Sequence, residues 1–263
     1  MIASTPFSYT TRGSEPYLQD TEFDASPVHR NRLACIVKMI ADKGPGQRVL
    51  EIGCGVGNIA RPLAGLGYRV TGIEPHGPSL EEARRRNTSA NLELRQQAVE
   101  DVDISEFDTL VLTEVLEHVP RCGDLLQTIS RGMKPGVRLV VTTPNGRSLC
   151  ERLLRPSYRL KQTRIGASLV RGIKKMLGAH DLTTANLQTP HVHFFTLPAL
   201  DSLFEESALH PIRFHRYFRN WLIRETFLTG RARDEERARR DFERSQQLPA
   251  ESCALWAFLL ERH

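Results

Sequence analysis

Apolar positions along this chain fall into two rhythms that take turns. Short, nearly continuous apolar runs occur at "RVLEIG" (48–53), "YRVTGIEP" (68–75), "LELRQ" (92–96), "FDTLVLT" (107–113) and "VRLVVTTPN" (137–145). Runs of that kind suit strands buried on both faces of a parallel sheet. Between them stand stretches with helical spacing: "HRNRLACIVKMIADKG" (29–44), "NIARPLAGLG", "SLEEARRRN" and "GDLLQTISRGMKPG". Three of these run into a glycine, a common helix stop. Strand and helix in alternation predict an α/β fold: a parallel sheet with helices on both faces. Such sheets bind ligands at the carboxyl ends of their strands, near the point where strand order reverses.

After Asn145 the rhythm breaks. Over 147–175, nine Lys and Arg residues face one acid, Glu151, with leucines interleaved. This predicts one or two basic amphipathic helices inserted after the fifth strand. The pattern resumes with "LPALDSLFEESAL" (helix), "PIRFHRYF" (strand), a charged helix over roughly 222–247 and "CALWAFLLER" (strand). The expected whole is a Rossmann-like, seven-stranded, mostly parallel, doubly wound sheet in a single domain, 1–263. Its parts are an N-terminal arm and helix (1–44), a core that binds a cofactor (45–146), a helical insertion or lid (147–195) and a C-terminal completion of the sheet (196–263).

Composition narrows the picture only a little. The 263 residues are 40% hydrophobic and 25% charged, as in ordinary folded domains. No run of about 18 apolar residues exists, and the N-terminus lacks the apolar stretch of a signal peptide. Five scattered cysteines without a CxxC pair indicate neither a disulfide framework nor a zinc knuckle. A cytoplasmic location is expected. The net charge of +5 permits acidic metabolites, anionic lipid or nucleic acid without selecting one.

Two stretches carry candidate chemistry. "EIGCGVG" (51–57) sits at a strand-to-helix turn, where glycines admit positive φ and close approach of a ligand. Alone it fits either a nucleotide cofactor or a tight turn. Glu74, about 20 residues on, stands where Rossmann-type sites place a ribose-binding acid. The third glycine of a dinucleotide fingerprint is replaced by Asn58, so a nucleoside without a pyrophosphate is expected. The second stretch is "TEVLEHV" (113–119). Helical spacing would set Glu114, Glu117 and His118 on one face.

Together, "VLEIGCGVGNIA", "VTGIEP", "QQAVEDV", "FDTLVLTEVLEHVP" and "MKPGVRLVVTTPN" resemble, in order and spacing, the motifs of class I S-adenosylmethionine-dependent methyltransferases. The ubiquinone-biosynthesis O-methyltransferases are the nearest in pattern, and "VHRNRLACI" also resembles their N-terminal arginine segment. The likeness covers 29–145, weakens over 146–190 and returns at "HVHFFTLPALDSLF". The resemblance implies that Gly53, Cys54, Gly55 and Gly57 lie against the methionine part of S-adenosylmethionine and that Glu51 orients its amino group. It implies that Glu74 holds the ribose diol, that Val99 and Glu100 flank the adenine, and that Thr113 meets the methionine end. Arg32 matches an arginine that contacts the cofactor, and otherwise reads as a solvated helix charge.

Three readings of the "TEVLEHV" trio stay open. Glu117 and His118 brace the loop; Glu114 or His118 is a general base; or Glu114, Glu117 and His118 bind a divalent metal (Mg, Mn or Zn) that lowers the acceptor's pKa. For the metal, His191 of "PHVHFFT" is a fourth ligand by resemblance to small-RNA 2′-O-methyltransferases, and His193 points away by strand alternation. The expected activity is O-methylation of a small-molecule or lipid-linked hydroxyl. Alternatives are an RNA 2′-O-methyltransferase and a non-catalytic cofactor-binding regulator or scaffold. The basic segment 147–175 is a solvated lid or a surface for peripheral contact with anionic membrane; nucleic acid is the weaker partner.

Overall fold

The computed structural model describes residues 27–41, 44, 46–148, 191–217, 240 and 242–263. The apolar runs become β1 (Arg48–Ile52), β2 (Arg69–Ile73), β3 (Leu92–Arg95), β4 (Thr109–Thr113) and β5 (Arg138–Pro144). The chain adds β6 (Leu209–Tyr217) and β7 (Leu255–Arg262). The helices are α1 (Pro27–Ile40), α2 (Ala60–Gly65), α3 (Gly77–Arg86), α4 (Cys122–Gly132) and α5 (Leu197–Glu206). Strand order is β3-β2-β1-β4-β5-β7-β6. All neighbouring pairs from β3 to β5 are parallel, and β7 lies antiparallel between β5 and β6.

Alternating side chains divide the core between the two faces of the sheet. Val49, Val70, Val111, Val140 and Leu259 pack under Ile36, Met39 and Ile40 of α1 and Leu63 of α2. Leu50, Leu110, Leu112, Val141 and Phe258 pack under Leu125, Leu126 and Ile129 of α4 and Leu200 and Phe204 of α5. The helices form because each has one apolar stripe for a face that the strands leave uncovered. Two are capped by side chains: His76 accepts from the Ser79 amide, and Thr196 from that of Ala199.

Between β3 and β4 the chain makes two single 3₁₀ turns, Val99–Asp101 and Ile104–Glu106. Asp103 caps the second of them by accepting from the Ser105 amide. One expectation needs correction: the stretch after Thr113 is not an extended helix. Glu114 has φ 53°, in the left-handed region, and only Leu116–His118 form a 3₁₀ turn. The N-terminal arm, the body of the basic insertion (149–190) and most of the charged helix expected over roughly 222–247 (222–239 and 241) lie outside the described residues. None of the described helices is long and apolar enough to cross a membrane.

Strand order reverses between β1 and β4, the two neighbours from which the chain winds outward in both directions. Their carboxyl ends bring Glu51 and Gly53 beside Thr113 and Glu114, so the two candidate motifs meet at the switch point.

Candidate functional site

The glycine-rich turn is folded by backbone bonds to β2. The amides of Gly53 and Cys54 both donate to the Ile73 carbonyl, at 2.9 and 3.0 Å. Gly53 has φ 73°, and a Cβ built there would lie 2.8 Å from Val115 Cγ2. Glycine is therefore required twice over, by the backbone and by the neighbour. The Gly55 amide donates to Glu74 Oε2 at 3.0 Å, and the His76 amide donates to Glu74 Oε1 at 2.9 Å. Gly57 donates to Cys54 and leads into α2. Glu74 lies one residue beyond β2 and is buried. A carboxylate oxygen can accept from more than one donor.

Glu51 is buried in the sheet floor. Its Oε1 accepts from Thr113 Oγ1 at 3.5 Å, while Oε2 has no hydrogen-bond partner among the described residues. Burial pushes its pKa up to about 8; the Ala60 amide and Thr113 oppose the rise, and the Glu74 charge adds to it. A buried carboxylate with one oxygen unpartnered fits an ammonium group, and Glu74 fits vicinal hydroxyls. Val99 is buried and Glu100 exposed, side by side in the turn after β3. Cys54 is a buried thiol, and burial first of all holds its pKa well above the ordinary value.

Helix α1 covers this turn. His29 Nε2 lies 2.9 Å from the Asn58 carbonyl. Arg32, buried, sets Nη2 3.2 Å from Glu114 Oε2. Thr142 Oγ1 donates to Glu114 Oε1 at 2.9 Å, and the Glu114 amide donates to the Thr142 carbonyl. Glu114 is thus held between α1 and β5.

Glu117 is almost completely buried. Thr143 Oγ1 donates to its Oε2 at 3.2 Å; Oε1 has no hydrogen-bond partner among the described residues and lies 4.0 Å from His118 Nε2. Burial first, and then the Glu114 charge, hold the Glu117 pKa above the usual carboxylate range, against the pull of His191 and Arg32. His191 arrives on the segment that precedes α5. The amides of Val192 and His193 donate to the Glu117 carbonyl at 2.8 and 3.1 Å, and the Gly146 amide donates to the Phe195 carbonyl. The approach is so close that a Cβ on Gly146 would stand 2.3 Å from the Phe194 carbonyl carbon. The rings of His118 and His191 meet edge to face at 4.9 Å. Donor atoms of Glu117, His118 and His191 all lie within 4.8 Å of one another. His193 turns away, with Nε2 3.0 Å from the Val119 carbonyl.

Three of the four expected metal ligands therefore stand together, and Glu114 is not in that group. The reason is local: left-handed Glu114 does not share a helical face with Glu117, and its carboxylate has Arg32 and Thr142 as partners. Sequence reasoning passed over Thr142, Thr143 and His29. The signal for the threonines was present, since two adjacent hydroxyls close an otherwise apolar strand. For His29 there was none.

Comparison with known proteins bears on the family and the fold. Residues 28–211 match the family described as "Methyltransferase domain". The ubiquinone biosynthesis O-methyltransferase of Nitrobacter winogradskyi is 36% identical over 103 residues, 38% of this chain and 40% of that one. The enzyme of the same name from Glaesserella parasuis is 35% identical over 139 residues, 48% of this chain and 58% of that one. Each match thus spans well under two thirds of the relative's length. Among solved structures, a possible histamine N-methyltransferase from Thermotoga maritima superposes with a TM-score of 0.59 over 95% of this chain and 96% of its own, at 16% identity. The magnesium protoporphyrin IX methyltransferase of Synechocystis, with bound S-adenosylhomocysteine, gives 0.53 over 89% and 83%, at 13% identity. These two show the fold. The family match covers more than half of the chain and takes in the glycine-rich turn, the Glu114–His118 stretch and His191, and the chain belongs to the methyltransferase-domain family.

Proposed function

We propose that this chain transfers a methyl group from S-adenosylmethionine to a hydroxyl oxygen of a small-molecule or lipid-linked acceptor, with assistance from a divalent metal. The observation that carries the reading is the pairing of two sites across one strand end. Glu51 and Glu74 line one side of it, and the Glu117, His118 and His191 cluster lines the other. The names of the curated relatives support oxygen as the acceptor atom.

When bound, S-adenosylmethionine supplies an electrophilic methyl on a sulfonium, so catalysis is mostly positioning. Glu51 would take the ammonium and Glu74 the ribose hydroxyls. Val99 and Glu100 would border the adenine, and Thr113 the methionine end. Glu117, His118 and His191 would hold magnesium, manganese or zinc, whose chemistry there is to lower the acceptor's pKa. Without a metal, His118 is the better-placed base, because Glu114 is already paired with Arg32.

The test is incubation of the protein and methyl-labelled cofactor with separated lipid and aqueous fractions of a lysate, followed by mass spectrometry. An O-methyl product whose formation stops with a chelator and resumes with a divalent ion is expected. Label on nitrogen or carbon overturns the acceptor class, and full turnover after exhaustive chelation overturns the metal.

A further inference from the structure

We infer that Arg32 withholds Glu114 from the cation cluster of Glu117, His118 and His191, and so keeps that cluster a three-ligand site. The inference rests on the metal reading proposed above and deepens it.

Both oxygens of Glu114 have partners. Oε2 faces Arg32 Nη2 at 3.2 Å, and Oε1 accepts from Thr142 Oγ1 at 2.9 Å. Glu117 differs, since its Oε1 is buried without a hydrogen-bond partner among the described residues. The backbone reinforces the division: Glu114 sits at φ 53° and its amide is tied to the Thr142 carbonyl, so α1 and β5 aim its side chain. The pair is closed to solvent, with side-chain exposures of 5% and 15%. Moving Glu114 onto a cation would break this buried ion pair, and that is strongly unfavourable.

This division has a consequence for chemistry. At a four-coordinate ion such as zinc, three protein ligands leave one position open for substrate, and at six-coordinate magnesium or manganese they leave more. A second carboxylate in the sphere would add charge, tighten the ion and take one of the positions open to an acceptor hydroxyl. Arg32 is thus a positioning residue, acting on the cluster through Glu114.

The test is calorimetric titration of the full chain with Mn²⁺ alone, which takes oxygen and nitrogen ligands. Glu117→Ala should abolish binding. Glu114→Gln should change the affinity by less than about threefold, whereas Arg32→Met should tighten it about tenfold or more by releasing Glu114. In the Arg32→Met/Glu114→Gln double variant, the gain should fall to about threefold or less, a coupling between neighbours that a double-mutant cycle isolates. A tenfold loss with Glu114→Gln alone makes Glu114 a ligand and overturns the inference, even if Arg32→Met does not fold. An equal gain from Arg32→Met in both backgrounds overturns it too, since Arg32 then acts by charge alone. If Mn²⁺ binds the wild type and Glu117→Ala alike, or binds neither, the metal reading itself falls, and the inference with it.

Discussion

At the scale of single residues, the buried carboxylates dominate. Glu51 has its pKa pushed up to about 8 by burial, against the ordinary carboxylate value in the unfolded chain. The folded state then holds a proton that the unfolded state has lost. The stability this gives is complete below the unfolded pKa and disappears as pH rises through about 8. Glu51→Gln removes the titration and keeps the shape. The melting temperature of the ligand-free variant should gain on the wild type between pH 6 and pH 9, in steps read by calorimetry. A gap that stays constant over that range would mean that Glu51 ionises normally. The same variant should bind S-adenosylhomocysteine more weakly, because the amide cannot pair with an ammonium. Glu74 gives a second prediction. Its carboxylate already orders the Gly55 and His76 amides and would add two ribose hydroxyls. Glu74→Ala should cost roughly 1.5–3 kcal/mol of S-adenosylhomocysteine binding, the usual loss for a hydrogen bond to a charged group. Calorimetry that finds the dissociation constant unchanged would remove the ribose assignment.

At the scale of elements, the segment that carries His191 depends on a glycine elsewhere in the chain. Residues 191–196 run against the end of β5, where Gly146 meets the Phe194 backbone, and their amides close onto the Glu117 carbonyl. Gly146→Ala has no flexible side chain to push aside, so the segment itself must move. We expect a loss of roughly 1–3 kcal/mol in unfolding free energy, the common cost of overpacking. Mn²⁺ affinity should fall with it, because His191 is carried away from Glu117 and His118. Retention of both would show that the segment has slack that the contact distances do not suggest. The limits of sequence reading lie at this scale too. The strands were legible because a β-branched apolar run has one use in such a fold. The glycine-rich turn and Glu74 were legible because backbone conformation and spacing constrain residue type. Glu114 was grouped with Glu117 and His118 by helical spacing, and the left-handed backbone at Glu114 breaks that spacing. At that residue the amide also bonds to the Thr142 carbonyl across a strand pair, a tertiary contact that the local sequence does not show.

At the scale of the whole molecule, the sheet has two unequal halves. β1, β2 and β4 build the side proposed for the cofactor, with parallel pairing and the turn at Gly53 at their ends. β5, β7 and β6 build the other side, and β7 enters antiparallel from the far end of the chain. Apolar periodicity marked β7 as a strand but not its place, since an inserted antiparallel strand looks the same in sequence as an appended one. Asn145 locks that insertion. Its Nδ2 donates to the Glu251 and Cys253 carbonyls, its amide donates to the Ala254 carbonyl, and its Oδ1 accepts from the Arg147 amide. Asn145→Ala would strip the buried carbonyl of Cys253 of that donor, at a cost of roughly 1–3 kcal/mol. For a chain of this size that is a fall of roughly 2–6 °C in melting temperature. Gly146 follows directly, so the loosened strand end should also free the His191 segment and weaken Mn²⁺. The cofactor cradle lies across β4 and shares no bond with Asn145 among the described residues. S-adenosylhomocysteine affinity should therefore stay within about twofold of wild type, as expected for sites without shared partners. If cofactor and Mn²⁺ affinities fall together, the two halves are one cooperative unit, and the division of the site between them is wrong.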